Sequence, residues 1–300
     1  MKAEIDESNP HYQRFVECFM EGASLQDIYS QSHHGYAVNA RADSADPAVR
    51  ERRMHSCRTQ FLRIFEHLRN IVEPVEQHVA LRGKRVLDFG CGTGALSVAL
   101  ALRGADVVGV DPTPISLEAS LWRARYFGCE DRFEPVVVGT DPGLPLADCA
   151  FDLVILNSVM EFIPHNRDRY VLDLLRLLKP GGHLVISTEN GLFPVDYYTR
   201  RFLPLFRRKT MISKNLPYGA TYFELRTWIR NSPRKVEDLS VLNRFNSIDK
   251  FAARQQDAGR AMTASLIRSI NSFVKTSCRI AGVPSDVFLP YAIYVFRVAA

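Results

Sequence analysis

Glycines at positions 90, 92 and 94 stand in the segment Val86-Leu-Asp-Phe-Gly-Cys-Gly-Thr-Gly94, with a carboxylate, Asp88, two residues before the first of them. A second carboxylate, Asp111, closes the apolar run Val107-Val-Gly-Val-Asp111. Glycines so spaced let the backbone turn tightly after a strand, and a ligand can then approach main-chain atoms without meeting a Cβ. Two ligand chemistries suit such a turn. Gly90-x-Gly92-x-x-Ala95 satisfies a loose form of the dinucleotide fingerprint, and Asp111 lies about twenty residues on, where a nucleotide ribose is held. Asp88 favours the other chemistry. A carboxylate at that strand end would repel a pyrophosphate, and it would attract a ligand carrying an ammonium group and a sulfonium centre. Asp111 is placed to accept from two ribose hydroxyls. The plain alternative is a tight strand-to-helix connection that holds no ligand.

The elements that position these groups follow from the apolar pattern. Arg85–Phe89, Val107–Asp111, Phe133–Val138, Phe151–Asn157 and His183–Thr188 are short strand-like runs. Helical segments at Leu96–Leu102, Pro114–Tyr126 and Asn166–Leu178 alternate with them, and Lys179-Pro-Gly-Gly182 is a stop signal for the last. Strands of this length alternating with such helices predict βαβ units and a parallel sheet. Upstream, Pro47–Val79 places Cys57, Phe61, Ile64, Phe65, Leu68, Ile71 and Val72 at spacings of three and four, one stripe of a helix. Ser24–Asp27 resembles a capping box that starts a short helix, and His33 through Pro47 reads as a loop. After Glu189 the alternation breaks. Residues 190–235 are rich in aromatics, prolines and arginines and predict a lid or insertion. A strand near Leu239–Leu242, a helix near Ala261–Ala281 and a last strand Tyr291–Val298 complete the sheet. The organisation is therefore a helical cap over 1–83, a Rossmann-like core over 84–189, and a lid plus the final strands over 190–300.

Composition sets the class. Hydrophobic residues make up 46% and charged residues 24% of 300 residues, an ordinary globular balance. The net charge of +5 is uneven, because residues 190–300 carry +11 and the rest −6, which puts a basic surface on the last third. The six cysteines (18, 57, 91, 129, 149 and 278) include no CxxC pair and suggest neither a disulfide framework nor a zinc site, so no metal is expected. The opening MKAEIDESNP is polar and acidic rather than a signal peptide. No apolar run reaches the roughly 18 residues of a membrane helix. A cytoplasmic protein is the expectation.

VLDFGCGTG, VVGVD, LPLADCAFDLVILN and LLKPGGHLVIS, taken in order and spacing, resemble the class I S-adenosylmethionine-dependent methyltransferases, in particular the small-molecule branch. The resemblance covers about a third of the chain. It implies an α/β, Rossmann-like doubly wound sheet of seven strands, mostly parallel with the last antiparallel. It also implies S-adenosylmethionine as cofactor. Asp88, Gly90, Cys91 and Gly92 would line its methionine part, with Asp88 reaching the amino group directly or through water. Asp111 would hold the ribose, and Pro112 and Thr113 would pack near the adenine. The family often has Gly-Asp-Ala before Leu-Pro, whereas this chain has Gly139-Thr-Asp141 before Leu144-Pro145, so the resemblance implies that either Asp141 or Thr140 would receive the adenine amino group. Asn157 would offer its backbone carbonyl beside the transferred methyl. The family's common Glu-His reads Glu161-Phe162 here, so a histidine base is absent at that place.

A sulfonium methyl is already electrophilic, so alignment of the nucleophile is the main task, and proximity contributes roughly 7–11 kcal/mol. A base assisting a hydroxyl nucleophile adds on the order of 100- to 10,000-fold. The candidates are Glu161, His165, Asp196 and Tyr197, past the ends of strands four and five. Amino methylation of DNA bases uses Asn/Asp-Pro-Pro-Tyr/Phe where this chain has Asn157-Ser-Val-Met160, and no Pro-Cys pair serves cytosine chemistry. No nucleic-acid acceptor is expected, nor the catechol-type metal site. The stretch 193–209, with paired arginines at Arg200-Arg201 and Arg207-Arg208, suggests either an anionic or lipid-like acceptor, or peripheral membrane contact through 197–209, or a lid with a solvated basic face. Two functions stand at this point. One is a methyltransferase acting on O or N of a metabolite, natural product, glycan or lipid precursor. The other is a catalytically silent cofactor-binding scaffold.

Overall fold

The computed structural model describes residues 4–30, 47–163, 165–190, 220–243, 246–289 and 291–300. Its seven strands are β1 (Arg85–Phe89), β2 (Asp106–Asp111), β3 (Phe133–Val137), β4 (Phe151–Asn157), β5 (Leu178–Glu189), β6 (Val236–Asp238) and β7 (Tyr291–Val298). They form one sheet in the order β3-β2-β1-β4-β5-β7-β6. β1 pairs parallel with β2 and β2 with β3, while β7 runs antiparallel to both β5 and β6. The doubly wound, mostly parallel sheet with an antiparallel last strand is the architecture the alternating pattern predicts. The chain divides into two compact units, residues 1–146 with 151–153, and residues 147–150 with 154–300.

In the first unit, β1 and β2 are apolar runs with nearly every side chain buried, as parallel strands covered on both faces require. Helices α5 (Ala95–Leu102) and α6 (Pro114–Tyr126) follow β1 and β2. The N-terminal helices belong to this core. Tyr12, Phe15 and Cys18 of α1 (Pro10–Ser30) and Cys57 and Phe61 of α2 (Pro47–Phe61) cluster with Ala119 of α6. α1 starts at Pro10 rather than at Ser24, because Asn9 Oδ1 accepts the His11 amide at 2.8 Å and proline at the first helical position lacks only an amide that would have been unpaired. The Ser24–Asp27 sequence therefore lies inside a helix. The single helix expected from Pro47 to Val79 is instead α2, α3 (Arg63–His67), a π-helical turn at Leu68–Val72, and α4 (Glu73–Glu76). Pro74 cannot donate to the carbonyl four residues back, and the widened turn just before it takes up that defect. The loop expected from His33 to Pro47 lies almost entirely outside the described residues.

In the second unit, α7 (Arg167–Leu177) ends one residue before β5, so Lys179-Pro-Gly-Gly182 stops the helix but itself belongs to the strand. Proline at 180 forces the residue before it out of the helical region and into extended backbone, which starts the strand early. Helix α8 (Tyr222–Arg230) opens with a capping box in which Glu224 N donates to Thr221 Oγ1 at 3.1 Å and Thr221 N to Glu224 Oε2 at 2.8 Å. The strand expected near Leu239–Leu242 is displaced to Val236–Asp238, and Ser240–Leu242 is a 3-10 turn. Asp238 Oδ1 accepts the Ser240 amide at 3.0 Å, a side-chain turn that ends the ladder. Helices α9 (Ser247–Asp257) and α10 (Ala261–Ile280) precede β7. Most of the expected lid, 191–219, lies outside the described residues. No helix among the described residues is long and apolar enough to cross a membrane.

Candidate functional site

The glycine turn is pinned to β2 by its own backbone. Gly90 N and Cys91 N both donate to the Val110 carbonyl, at 2.8 and 3.0 Å. Gly94 has φ +73°, and a Cβ there would sit 2.5 Å from Ser120 Cβ, so only glycine lets α6 pack this closely. Gly92 has φ +52° with nothing within 4 Å of where its Cβ would be, so its Cα faces open space. Gly109 is needed for a different reason: a Cβ would meet the Phe133 ring at 2.7 Å and Cys91 Sγ at 3.0 Å.

The two carboxylates differ in surroundings. Asp88 is buried and accepts from Ser97 Oγ at 2.6 Å. Desolvation pushes its pKa up to about 7, a rise opposed by the Ser97 hydrogen bond and assisted by the charge of Asp111. Asp111, at the end of β2, accepts Gly92 N on Oδ2 at 3.0 Å and Thr113 N on Oδ1 at 2.9 Å. Each oxygen keeps a further lone pair for another donor. Cys91 has its thiol pushed well above its usual range, by burial first and then by the charges of Asp88 and Asp111. Thr113 precedes α6, and Pro112 is exposed beside it. The Val138 amide donates to the Asp111 carbonyl at 3.2 Å, so the chain leaves β3 beside Asp111, and Thr140 and Asp141 follow, both exposed. The structure thus gathers Asp88, the turn, Asp111 and Thr113 through direct contacts.

Two residues of this neighbourhood were not read from the sequence. Ser97 lies one turn into α5, on the face toward Asp88. Arg123 of α6 is fully buried and donates to the Thr93 carbonyl, to Thr93 Oγ1 at 3.1 Å and to the Gln60 carbonyl at 2.9 Å. Its guanidinium lies 4.5 Å from the Phe15 ring centroid and 5.6 Å from that of Phe61. Among the described residues no carboxylate pairs with it, and burial pushes its pKa down to about 9, which leaves it charged at neutral pH. A signal existed in the sequence: Arg123 follows Ser116, Ala119 and Ser120 at helical spacing on the buried face of α6.

The second unit has its own polar cluster at the end of β4. Asn157 Oδ1 accepts from Ser187 Oγ at 2.7 Å and from Tyr291 Oη at 3.0 Å. Tyr291 Oη lies 2.9 Å from Ser158 Oγ. Ser158 has φ +57°, a left-handed conformation that costs a non-glycine residue on the order of 1 kcal/mol or more. The Ser158 amide holds that geometry by donating to the Ser187 carbonyl at 2.8 Å. Ser158, Ser187 and Tyr291 have no motif signal, since they come from three separate segments that only the sheet brings together. Glu161 is buried in a 3-10 turn, Met160–Phe162, and His165 is exposed before α7. Tyr197, Asp196 and the basic stretch 197–209 lie outside the described residues.

Residues 87–186 match the family described as "Methyltransferase domain". The chain is 43% identical over 107 residues to a ribosomal protein L11 methyltransferase of Marinobacter nauticus, covering 35% of this chain and 33% of that one. It is 29% identical over 191 residues to a ubiquinone biosynthesis O-methyltransferase of Pseudomonas putida, covering 61% of this chain and 78% of that one. This chain carries a class I S-adenosylmethionine-dependent methyltransferase domain. The match spans only a third of the length of the first relative, and so concerns the shared core. A solved structure of a putative sarcosine dimethylglycine methyltransferase from Galdieria sulphuraria has the same fold, with TM-score 0.50 and 14% identity over 93% of this chain and 98% of that one. The cofactor of the methyltransferase domain is S-adenosylmethionine, and the turn fits it. A buried carboxylate held near its titration point by desolvation is relieved by an adjacent cation and would be penalised further by a phosphate. Gly92 leaves open space over the turn.

Proposed function

We propose that this methyltransferase moves the methyl group of S-adenosylmethionine to an oxygen or nitrogen of a small molecule, with a hydroxyl oxygen the favoured acceptor. The observation that carries the reading is the glycine turn between buried Asp88 and half-buried Asp111, whose chemistry suits a cationic nucleoside. Asp88 is assigned to the cofactor's ammonium group, the Gly90–Gly92 backbone to its methionine part and Asp111 to the ribose hydroxyls. Pro112, Thr113 and Thr140 or Asp141 are assigned to the adenine. The cofactor supplies a methyl group made electrophilic by the sulfonium. What the protein must supply is orientation of the acceptor and a destination for its proton. Asn157, Ser158 and Tyr291 offer hydroxyl and amide groups of the kind that orient a hydroxyl. Glu161 and His165 are the acid–base candidates among the described residues. The name of the Pseudomonas putida relative, an O-methyltransferase, supports oxygen as the acceptor atom. The arginine-rich stretch 197–209 supports an acceptor with an anionic or lipid-like part.

The test is incubation of the full chain with S-adenosylmethionine and a panel of phenols, carboxylic acids and amines. The expected result is S-adenosylhomocysteine formation together with one added methyl mass on a hydroxylated member. Failure of calorimetry to detect binding of either S-adenosylmethionine or S-adenosylhomocysteine would refute the reading.

A further inference from the structure

Helix α10 is amphipathic in the reverse of the usual sense. The face it buries is small and polar: Ala264 and Asn271 are its buried residues, and Asn271 exchanges hydrogen bonds of 2.9 and 3.0 Å with Asn246. Lys275 anchors the same side through Asp249 at 2.5 Å. Ile267 and Val274 are half-buried, but five other large apolar side chains point the other way. Met262 is 88% exposed, Leu266 62%, Ile270 55%, Phe273 73% and Ile280 84%. At 100° per residue these five fall within one stripe, roughly a quarter of the circumference and about 30 Å long. One flank of the stripe is serine and threonine, and beyond it stand Arg268 and Arg279, both exposed. The helix contains no acidic residue.

A helix that turned this face to water for no purpose would be selected against, because apolar patches of this extent draw proteins into association. Charge decides what covers it. An antiparallel second copy would bring two helices together that carry only positive charge, with no carboxylate on either to answer them. An anionic lipid surface answers both features at once. The apolar stripe enters the boundary between headgroups and acyl chains, while arginines on the flank meet lipid phosphates.

We propose that α10 is a membrane-surface helix, lying in the plane of an anionic bilayer with Met262, Leu266, Ile270, Phe273 and Ile280 inserted. The site is distinct from the stretch 197–209 and independent of which acceptor is methylated.

The test is co-sedimentation of the full chain with vesicles of equimolar phosphatidylcholine and phosphatidylglycerol, against vesicles of phosphatidylcholine alone. The mixed vesicles should pellet the protein more strongly, and added salt should release it. The Leu266→Ser/Phe273→Ser variant should lose at least about tenfold in partitioning. Arg268→Gln/Arg279→Gln should bind the mixed vesicles more weakly and with a smaller salt dependence. Neither variant changes a residue of the cofactor turn, so S-adenosylmethionine affinity should be unchanged in both. Three outcomes would overturn the proposal. The first is a wild type that pellets with neither vesicle. A dimer in light scattering that the Leu266→Ser/Phe273→Ser variant converts to monomer would make the stripe an interface between copies. A loss of thermal stability in that variant would show that the chain itself covers the stripe.

Discussion

Replacing Asp88 by asparagine removes a charge that the folded protein holds at a disadvantage while keeping the oxygen that accepts from Ser97. The carboxyl pKa rises from 3.8 to about 7 on folding, chiefly by desolvation. A folded-state value above the unfolded one means the native protein keeps a proton that the unfolded chain has already lost. Asp88 therefore lowers stability progressively as pH rises from about 4 to about 7, and the loss is constant above that. At 1.36 kcal/mol per pH unit the plateau is about 4 kcal/mol. In the absence of cofactor, Asp88→Asn should thus be more stable than wild type in urea titration at pH 8. The gain should be about 4 kcal/mol there and less than half of that at pH 5. Cofactor binding should move the other way. Loss of a charge-assisted contact to the ammonium should weaken S-adenosylmethionine by roughly 10- to 100-fold at pH 8 in calorimetry. Wild-type affinity should fall by up to about tenfold per pH unit below 7, and the variant should show no such slope. Equal stability of the two proteins at pH 8, or an unchanged affinity, would refute the reasoning.

Arg123→Met should change stability by less than about 2 kcal/mol, since the orphaned carbonyls of Thr93 and Gln60 and the relieved desolvation of the guanidinium act in opposite directions. It should nonetheless weaken the cofactor about tenfold by loosening the turn at Thr93, and calorimetry beside urea titration separates the two effects. Gly94→Ala should destabilise by about 1–3 kcal/mol, because its Cβ meets Ser120 at 2.5 Å and φ is +73°. Adding Ser120→Gly should recover only the part due to the clash, a difference readable in thermal unfolding. Tyr291→Phe removes the donor to Asn157 at 3.0 Å and should lower kcat roughly 10- to 100-fold with cofactor affinity unchanged, as measured by S-adenosylhomocysteine release.

What could be read from the sequence was whatever depends on local order. β1, β2 and β4, the helices between them and the positions of Asp88 and Asp111 follow from apolar runs ended by glycine, where each residue's neighbours in sequence are its neighbours in space. Misplaced features came from competition between local signals. Pro74 broke a periodic stripe that otherwise reads as one helix, Asn9-Pro10 overrode the Ser24 cap, and Asp238 ended a strand before the apolar residues that suggested it. The Asn157–Ser187–Tyr291 cluster was invisible for a different reason. Its members are separated by up to 134 residues and meet only because β7 pairs with β5 in a register that sets Glu189 opposite Tyr291.

Charge state was the least legible property, and it bears most directly on function. Asp88 and Arg123 both touch the segment from Asp88 to Ser97, both are buried, and neither has an ion-pair partner among the described residues. Had they faced each other, the turn would be electrostatically closed and a cationic ligand would find Asp88 already neutralised. They instead have separate partners. Arg123 is aimed at the Thr93 carbonyl and the aromatic rings of α1 and α2, and Asp88 at Ser97. The positive charge is thus used to fix the backbone of the turn, and the negative one stays unneutralised. A buried carboxylate without a counter-ion raises the free energy of the empty protein, and that same free energy is recovered when a cation binds. Ligand-induced stabilisation should therefore be larger at pH 8 than at pH 6 in wild type, whereas in Asp88→Asn it should be independent of pH across that interval.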